Sequence, residues 1–322
     1  MIILMKRAIG KEKAMFFIRP FLITSLLQIW GLEINQLKKK LESINKKLFN
    51  YREKRVQPII DTKIVFSWNA LAIRGFIDAY KATGDNKFLN KAIAINKGLE
   101  EKMIQGNKIA HTNGQSFDNQ VLFFEDYSYY IDALIGLYEA TYEIDWIKKA
   151  VAFTKFSNLE FQQDNSFYKF SSNQELLYSD ILIHLEDGVT PSANSVMNYN
   201  LFRLSHYLGD KDFSIHAEKM INNIITNLES RVTDHMFWFW ASLNYSDSFF
   251  ELAISGPDAK RKGKELSLEY LPNAIIAAYN EPSDLYLLKD RFVKEVTYIY
   301  VCVNNTCKFP VTNIKEALKL MD

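Results

Sequence analysis

Apolar positions recur at three- and four-residue spacing along most of the chain, which predicts a helical protein. The clearest run lies in Asp61 to Tyr80, DTKIVFSWNALAIRGFIDAY, where a polar entry gives way to an apolar-periodic stretch. Ser67 stands where a cap belongs for a helix beginning at Trp68 or Asn69. Ala72, Phe76 and Ala79 are the expected buried stripe. From Asn69 it is fifteen residues to a Gly84-Asp85 turn, three more to Phe88 and four more to Ala92. Asn194, Gly209-Asp210, Phe213 and Ala217 repeat the series with every interval unchanged. A looser copy lies between them, with Asp126 and Tyr127 at the helix start, Trp146 in the place of Phe88 and Ala150 in that of Ala92. A recurring helix–turn–helix unit is a statement about architecture first.

The other segments follow the same reading. Residues 32 to 57 form a charged amphipathic helix with Leu37, Leu41, Ile44, Leu48 and Tyr51 on one side, ended by Pro58. Residues 106 to 124 are Gly/Asn-rich and read as a loop with a short strand pair. The first helix of the second repeat carries Tyr127, Tyr130, Ile131, Leu134, Leu137 and Tyr138 and is apolar almost all round, as a helix buried on most sides would be. Residues 159 to 187 read as an excursion with short strands, and Asp187-Gly188 opens the third repeat. Beyond Thr233, FWFWASL reads as an aromatic helix. FELAISG, YLPNAIIAAY and VTYIYVCVN read as strands, and NIKEALKLM as a closing helix.

Inner helices rich in small and aromatic residues thus alternate with outer helices carrying lysines. That pattern predicts a mainly α chain folded as a ring of helix pairs, an (α/α) barrel with a few short strands, rather than a solenoid of shorter, stricter period. Two segments are expected: an unmatched stretch over 1–31 and a single toroid domain over 32–322. Arg19 and Pro20 interrupt the apolar run around residues 15 to 31, leaving about ten residues where a membrane span needs about twenty. A peripheral helix, with no membrane span, is the expectation there.

Composition narrows the function classes. The chain has 322 residues, 48% hydrophobic and 24% charged, with a formal net charge of +1. Such a balance, without a basic stripe, gives no reason to expect a nucleic-acid partner. Cys302 and Cys307 are the only cysteines, too few for a disulfide framework, and read as structural thiols in a reducing, cytoplasmic setting. No Gly-rich phosphate loop, HExxH or clustered metal spacing is present, so neither a metal nor a cofactor is expected. PSANS is not a nucleophile elbow, which disfavours acyl transfer.

In such a ring the inner helices start at one end. Ser67, Trp68 and Asn69 from the first repeat gather there with Glu125, Asp126 and Tyr127 from the second and Asp187, Ser192, Asn194 and Ser195 from the third. Convergent polar groups in a concavity are where ligands bind, and exposed N–H groups at helix starts would favour an anionic or hydroxyl-rich one. Paired carboxylates suit glycoside hydrolysis, so Asp126 with Asp187 or with Asp61 are the candidate acid–base pairs. Glu125 is the weaker partner because adjacent residues tend to face different ways. Trp68 or Tyr127 would stack on a sugar face, with Asn69, Ser192, Asn194 and Ser195 as further ligand contacts. His184, the histidine nearest this set in sequence, would act as acid or base if its excursion folds over the mouth. Against all of this stands capping, the first role of Asp, Ser and Asn before helices.

DTKIVFSWNAL, FFEDYSYYIDALIGLYEAT, DGVTPSANSVMNYNLFRL and YVCVNNTCKFP resemble, in order, segments of the C-terminal helical region of the YyaL / spermatogenesis-associated protein 20 family, the thioredoxin-domain-containing DUF255 proteins. The resemblance runs from about residue 32 to the C-terminus. It implies an (α/α)6 toroid of the six-hairpin glycosidase-like kind, related in fold to sugar epimerases and glycoside hydrolases. Departures are Ala70 and Ala193 for the usual glycines, Glu125 for the first Asp of the family's DDYA, and no Gly-Gly near Asn165 to Phe167. The family's CxxC is absent, so the chain looks like a truncated or split member. Two functions follow as expectations. One is a toroid that binds or processes a carbohydrate at its mouth; the other is a non-catalytic module that docks with a separate thioredoxin-like domain.

Overall fold

A computed structural model describes residues 33–173, 182–228, 231–246, 248–303 and 306–321. They fall into two compact units divided between Thr62 and Lys63. The first contains α1 (Ile34–Arg52), opened by Glu33, whose N–H donates to Gln36 Oε1. Of its expected apolar stripe Leu37 is buried, while Ile44, Leu48 and Tyr51 stay exposed. The apolar run around 15–31 lies outside the described residues.

The second unit begins with three helical hairpins: α2 (Phe66–Thr83) with α3 (Asn86–Met103), α4 (Phe124–Thr141) with α5 (Ile144–Phe161), and α6 (Ala193–Leu208) with α7 (Lys211–Leu228). Helix α4 lies between α2 and α6, and each inner helix packs against its own return helix. The turns obey the repeated Gly. Gly84 and Gly209 take φ of 68° and 63°, and their N–H groups donate to Tyr80 and Ser205 carbonyls, closing α2 and α6. In the middle hairpin Tyr142 holds the same left-handed place at φ 57°. That conformation costs a non-glycine residue about 1–2 kcal/mol, offset here by a fully buried ring and a hydroxyl that donates to the Gly263 carbonyl at 2.9 Å.

Helix α2 starts two residues before the earlier of the two starts expected, and its buried stripe is Phe66, Ala70, Ile73, Ile77 and Tyr80. Ala72, Phe76 and Ala79, expected on that stripe, are only part-buried. The reason is non-local. Val65 bridges Thr112, Phe66 N–H donates to the His111 carbonyl, and Ser67 N–H is taken by a carboxylate of α4. Ser67 is therefore inside the helix and caps nothing. Helix α4 is buried on most sides, as its sequence predicts.

β1 (Ile104–Gln105) and β2 (Lys108–Ile109) make the strand pair expected in the Gly/Asn-rich loop. After α8 (Met236–Ser246) come β3 (Phe250–Ser255), α9 (Ala259–Leu266), β4 (Ala274–Tyr279), β5 (Tyr298–Val303), β6 (Thr306–Cys307) and α10 (Ile314–Lys319). The sheet order is β4-β3-β5-β6, with β3 parallel to β4 across α9 and antiparallel to β5. Strand β3 is buried throughout, as its continuous apolar run requires. The fold is thus mainly α, of the (α/α) toroid hairpin class, with short strands in loops and near the C-terminus.

This α/β segment packs across the C-terminal ends of the inner helices. Tyr142 reaches Gly263, a Cβ on Gly209 would lie 2.7 Å from the Tyr286 ring, and His206 Nδ1 meets Glu251 at 2.6 Å. Cys302 and Cys307, expected as thiols, are joined in a disulfide. They face each other in the antiparallel register of β5 and β6, five positions apart in sequence. Among the described residues no helix is long and apolar enough to cross a membrane.

Candidate functional site

The first turn of α4 carries Glu125 and Asp126 against the first turn of α2. Asp126 is fully buried; its Oδ1 accepts the Ser67 N–H at 2.9 Å and its Oδ2 lies 2.9 Å from His111 Nδ1. The Ser67 hydroxyl donates to Glu125 Oε1 at 3.1 Å. One serine thus holds two consecutive carboxylates, and Glu125 and Asp126 converge where the sequence suggests divergence. Adjacent helical side chains separate over the body of a helix, but here both reach the same point at a neighbouring helix start.

His111 is the residue that sequence reasoning missed. It sits on the strand-like segment after β2, its carbonyl bound by Phe66 N–H and its own N–H donated to Gln115 Oε1 at 2.9 Å. Its ring packs on Phe123. The sequence signal was the Ile109 to Thr112 stretch, whose Thr112 pairs with Val65. Nitrogen and carboxylate oxygen atoms of His111, Glu125 and Asp126 lie within 4.8 Å of one another. The metal-ligand spacing absent from the sequence is supplied by the fold. Burial pushes the Asp126 carboxyl up to about 6 against the opposing pull of His111. The hydrogen bond to Asp126 raises His111 above its ordinary 6.5, with burial working the other way.

The third hairpin contributes differently. Asp187 Oδ1 accepts the Ser192 N–H at 2.7 Å, and its Oδ2 accepts the Phe237 N–H at 2.8 Å, so both oxygens are occupied at the entries to α6 and α8. The Ser195 hydroxyl donates to the Ser192 carbonyl at 2.7 Å. Asn194 joins three segments, accepting from Tyr168 N–H and donating to the Tyr168 and His184 carbonyls. Between these loops and α4 lies a cleft of about 180 Å³, walled by Phe124, Tyr168 and Phe170 and lined by Glu125, Tyr129, His184, Glu186, Thr190, Ser192 and Asn194. It is below the ~300–1,000 Å³ of common ligand pockets and suits a ligand no larger than a single sugar ring.

The other expected contacts scatter, and the reasons are physical. Neither Asp126 nor Asp187 lines the cleft, so that carboxylate pair shares no cavity. Asp61 is exposed in the first unit. Tyr127 is fully buried among Phe153, Phe156 and Phe161; its hydroxyl accepts from Ile109 N–H and donates to the Asn107 carbonyl, so no ring face is open for stacking. Asn69 donates to the Val65 carbonyl, and Trp68 is 55% exposed. Helix-start N–H groups expected to attract an anion are taken: Phe66 by His111, Ser67 by Asp126, Phe124 by Phe170 and Asn194 by Ser192.

Comparison with known proteins gives a relationship in sequence. No protein-family model matches the chain. It is 26% identical over 321 aligned residues to human spermatogenesis-associated protein 20 and 27% over 317 to the mouse protein, in each case 91% of this chain and 40% of the other. An uncharacterized Caenorhabditis elegans protein is 31% identical over 190 residues, 56% of this chain and 26% of that one. The chain spans about two-fifths of the length of the mammalian relatives. Among solved structures it is similar to a D-mannose isomerase (13% identity, TM-score 0.41, 52% of this chain and 43% of that one). It is also similar to a family 76 α-mannanase of Bacteroides thetaiotaomicron (10%, TM-score 0.43, 72% and 64%).

Proposed function

We propose that this chain, a relative of spermatogenesis-associated protein 20, binds a small polyhydroxylated ligand of the carbohydrate class in the cleft at the start of α4 and α6. The observation that carries this reading is the cleft's lining: two carboxylates (Glu125 and Glu186), an imidazole (His184) and hydroxyls between aromatic walls. Carboxylates accept and cannot donate at neutral pH, so they match the O–H donors of a sugar ring. Phe170, part-exposed at the cleft, offers apolar surface to its C–H faces. Glu186 is paired with Arg231, so Glu125 is the acidic group left to the cleft, and with the N–H groups of Phe66, Ser67, Phe124 and Asn194 already taken it favours a neutral or amino sugar over a uronate or sugar phosphate. Any proton transfer falls to Glu125 and His184, which line the cleft, rather than to the Asp126–Asp187 pair. A module docking with a thioredoxin-like domain is the alternative function, and the apolar run that would serve it lies outside the described residues.

The test is a thermal-shift screen of neutral, amino and acidic monosaccharides against wild type and Glu125→Gln. A ligand present at about 100 times its Kd stabilises by about 2.7 kcal/mol. A neutral or amino sugar should raise Tm in wild type and not in Glu125→Gln. A folded wild-type protein indifferent to every sugar would overturn the reading.

A further inference from the structure

His111, Glu125 and Asp126 come from a loop and a helix start, yet their donor atoms gather within 4.8 Å. We infer that they form a binding site for a first-row divalent cation of the zinc class. The inference shares Glu125 with the sugar reading but needs no ligand in the cleft.

Three observations support it. The donor set is the first: imidazole and carboxylate are both zinc ligands, and catalytic zinc sites use three protein groups and leave a position for water. Already 2.9 Å apart, His111 Nδ1 and Asp126 Oδ2 are close to the spacing of two ligands on one small ion, so little movement is needed.

The second is the support around those donors. Metal sites hold their ligands by outer hydrogen bonds that fix orientation. Ser67 does this for both carboxylates, its N–H on Asp126 Oδ1 and its hydroxyl on Glu125 Oε1, so that Glu125 Oε2 and the facing pair Asp126 Oδ2 and His111 Nδ1 are the atoms an ion would take, replacing the proton between the latter two. His111 is fixed from its backbone, through Phe66 N–H on its carbonyl and Gln115 on its N–H.

Charge is the third. Asp126 is fully buried, and its ion-pair partner among the described residues is His111, not a Lys or Arg. Two adjacent carboxylates sharing one imidazole leave an excess of negative charge that a divalent ion would balance. Burial of one ligand and partial exposure of the other two give the site a closed inner wall and an outer face open to entry.

Equilibrium dialysis of the purified chain against Zn2+, followed by elemental analysis, tests the inference. Co2+ serves as an optical probe of coordination. The expected result is one ion per chain, with an intense Co2+ absorption of low-coordinate type. His111→Ala, at a part-exposed position, should lower affinity more than about tenfold. Ser67→Ala, which keeps the N–H to Asp126 and removes only the hydroxyl, should lower it about 10- to 100-fold. Less than one ion per chain, or an affinity unchanged in a folded His111→Ala protein, would overturn it. Sugar-induced shifts in metal-free protein would leave the two readings separable.

Discussion

The same three inner helices carry charged side chains at two levels, and the levels are built on opposite principles. Midway along them, Arg203 of α6 donates to Asp132 and Glu139 of α4, Arg74 of α2 donates to Asp132, and Lys81 of α2 donates to Glu139. Arg203 is fully buried and also lies over the Tyr199 ring at 4.2 Å. Burial alone would raise Glu139, but Lys81, Arg203 and Arg74 outweigh it and hold the carboxyl well below its ordinary 4.5. At the helix starts Asp126 is buried more completely, its ion-pair partner is a histidine, and its carboxyl goes up instead. A buried carboxylate surrounded by permanent cations stays ionised and ties helices together. One left with only a titratable partner keeps the capacity to exchange a proton or accept a cation.

The comparison can be broken most forcefully at its middle level. Arg203→Ala strands Asp132 and Glu139 in the interior and should cost about 3–5 kcal/mol in urea unfolding, because an uncompensated buried charge is left behind. A loss below about 1 kcal/mol would mean that Arg74 and Lys81 suffice.

The pH dependence separates the levels next. In metal-free protein, the folded Asp126 carboxyl at about 6 lies above its ordinary 3.8, so the fold holds a proton that the unfolded chain has released. His111, raised above 6.5, contributes fully below that value and less as pH rises through its folded value. Asp126 makes stability fall as pH rises from about 4 to 6, by about 3 kcal/mol, and His111 makes it fall further as pH rises above 6.5. Asp126→Asn should flatten that slope. Glu139 has the opposite sign: its contribution is present above 4.5 and is lost only as pH falls through a folded value well below that. Glu139→Gln should lower stability by a constant amount above pH 4.5 and remove this share of the acid limb, leaving the slope at higher pH unchanged, which pH-resolved thermal unfolding will show.

Ser67→Ala is the smallest and sharpest change. It removes one hydroxyl bond to Glu125 while leaving the Asp126 cap, and should lower stability by about 1 kcal/mol with the Asp126 slope between about pH 4 and 6 intact. A vanished slope would show that Glu125, not Asp126, sets it.

Much of the fold was legible because its signals are local. The interval from Asn69 to Ala92, repeated from Asn194 to Ala217, located two turns through glycines that are both left-handed. The alternation in VTYIYVCVN marked β5. What escaped was set by partners distant in sequence. Tyr142 takes a glycine's place because Gly263 receives its hydroxyl. The start of α2 shifted to Phe66 because His111 and Asp126 supply its acceptors, and the buried stripe shifted with it. The disulfide depends on the register of β6, two residues long. At the site, Glu125, Ser192 and Asn194 were in the expected set and do line the cleft. His111 was not, since a lone histidine in a Gly/Asn-rich loop shows no periodicity. Capping, the plain alternative for Asp187, describes both of its oxygens.

The α/β segment across the C-terminal ends of α2, α4 and α6 gives this hairpin array a floor and a rim. The floor is pinned by Tyr142, Gly209 and His206, where an added methyl group or a lost bond disturbs packing between two layers. The rim is made of connections between helices, which can lengthen or change sequence without passing through that packing. Variation in what is bound and variation in how firmly the chain folds can therefore be written into different ends of the same helices.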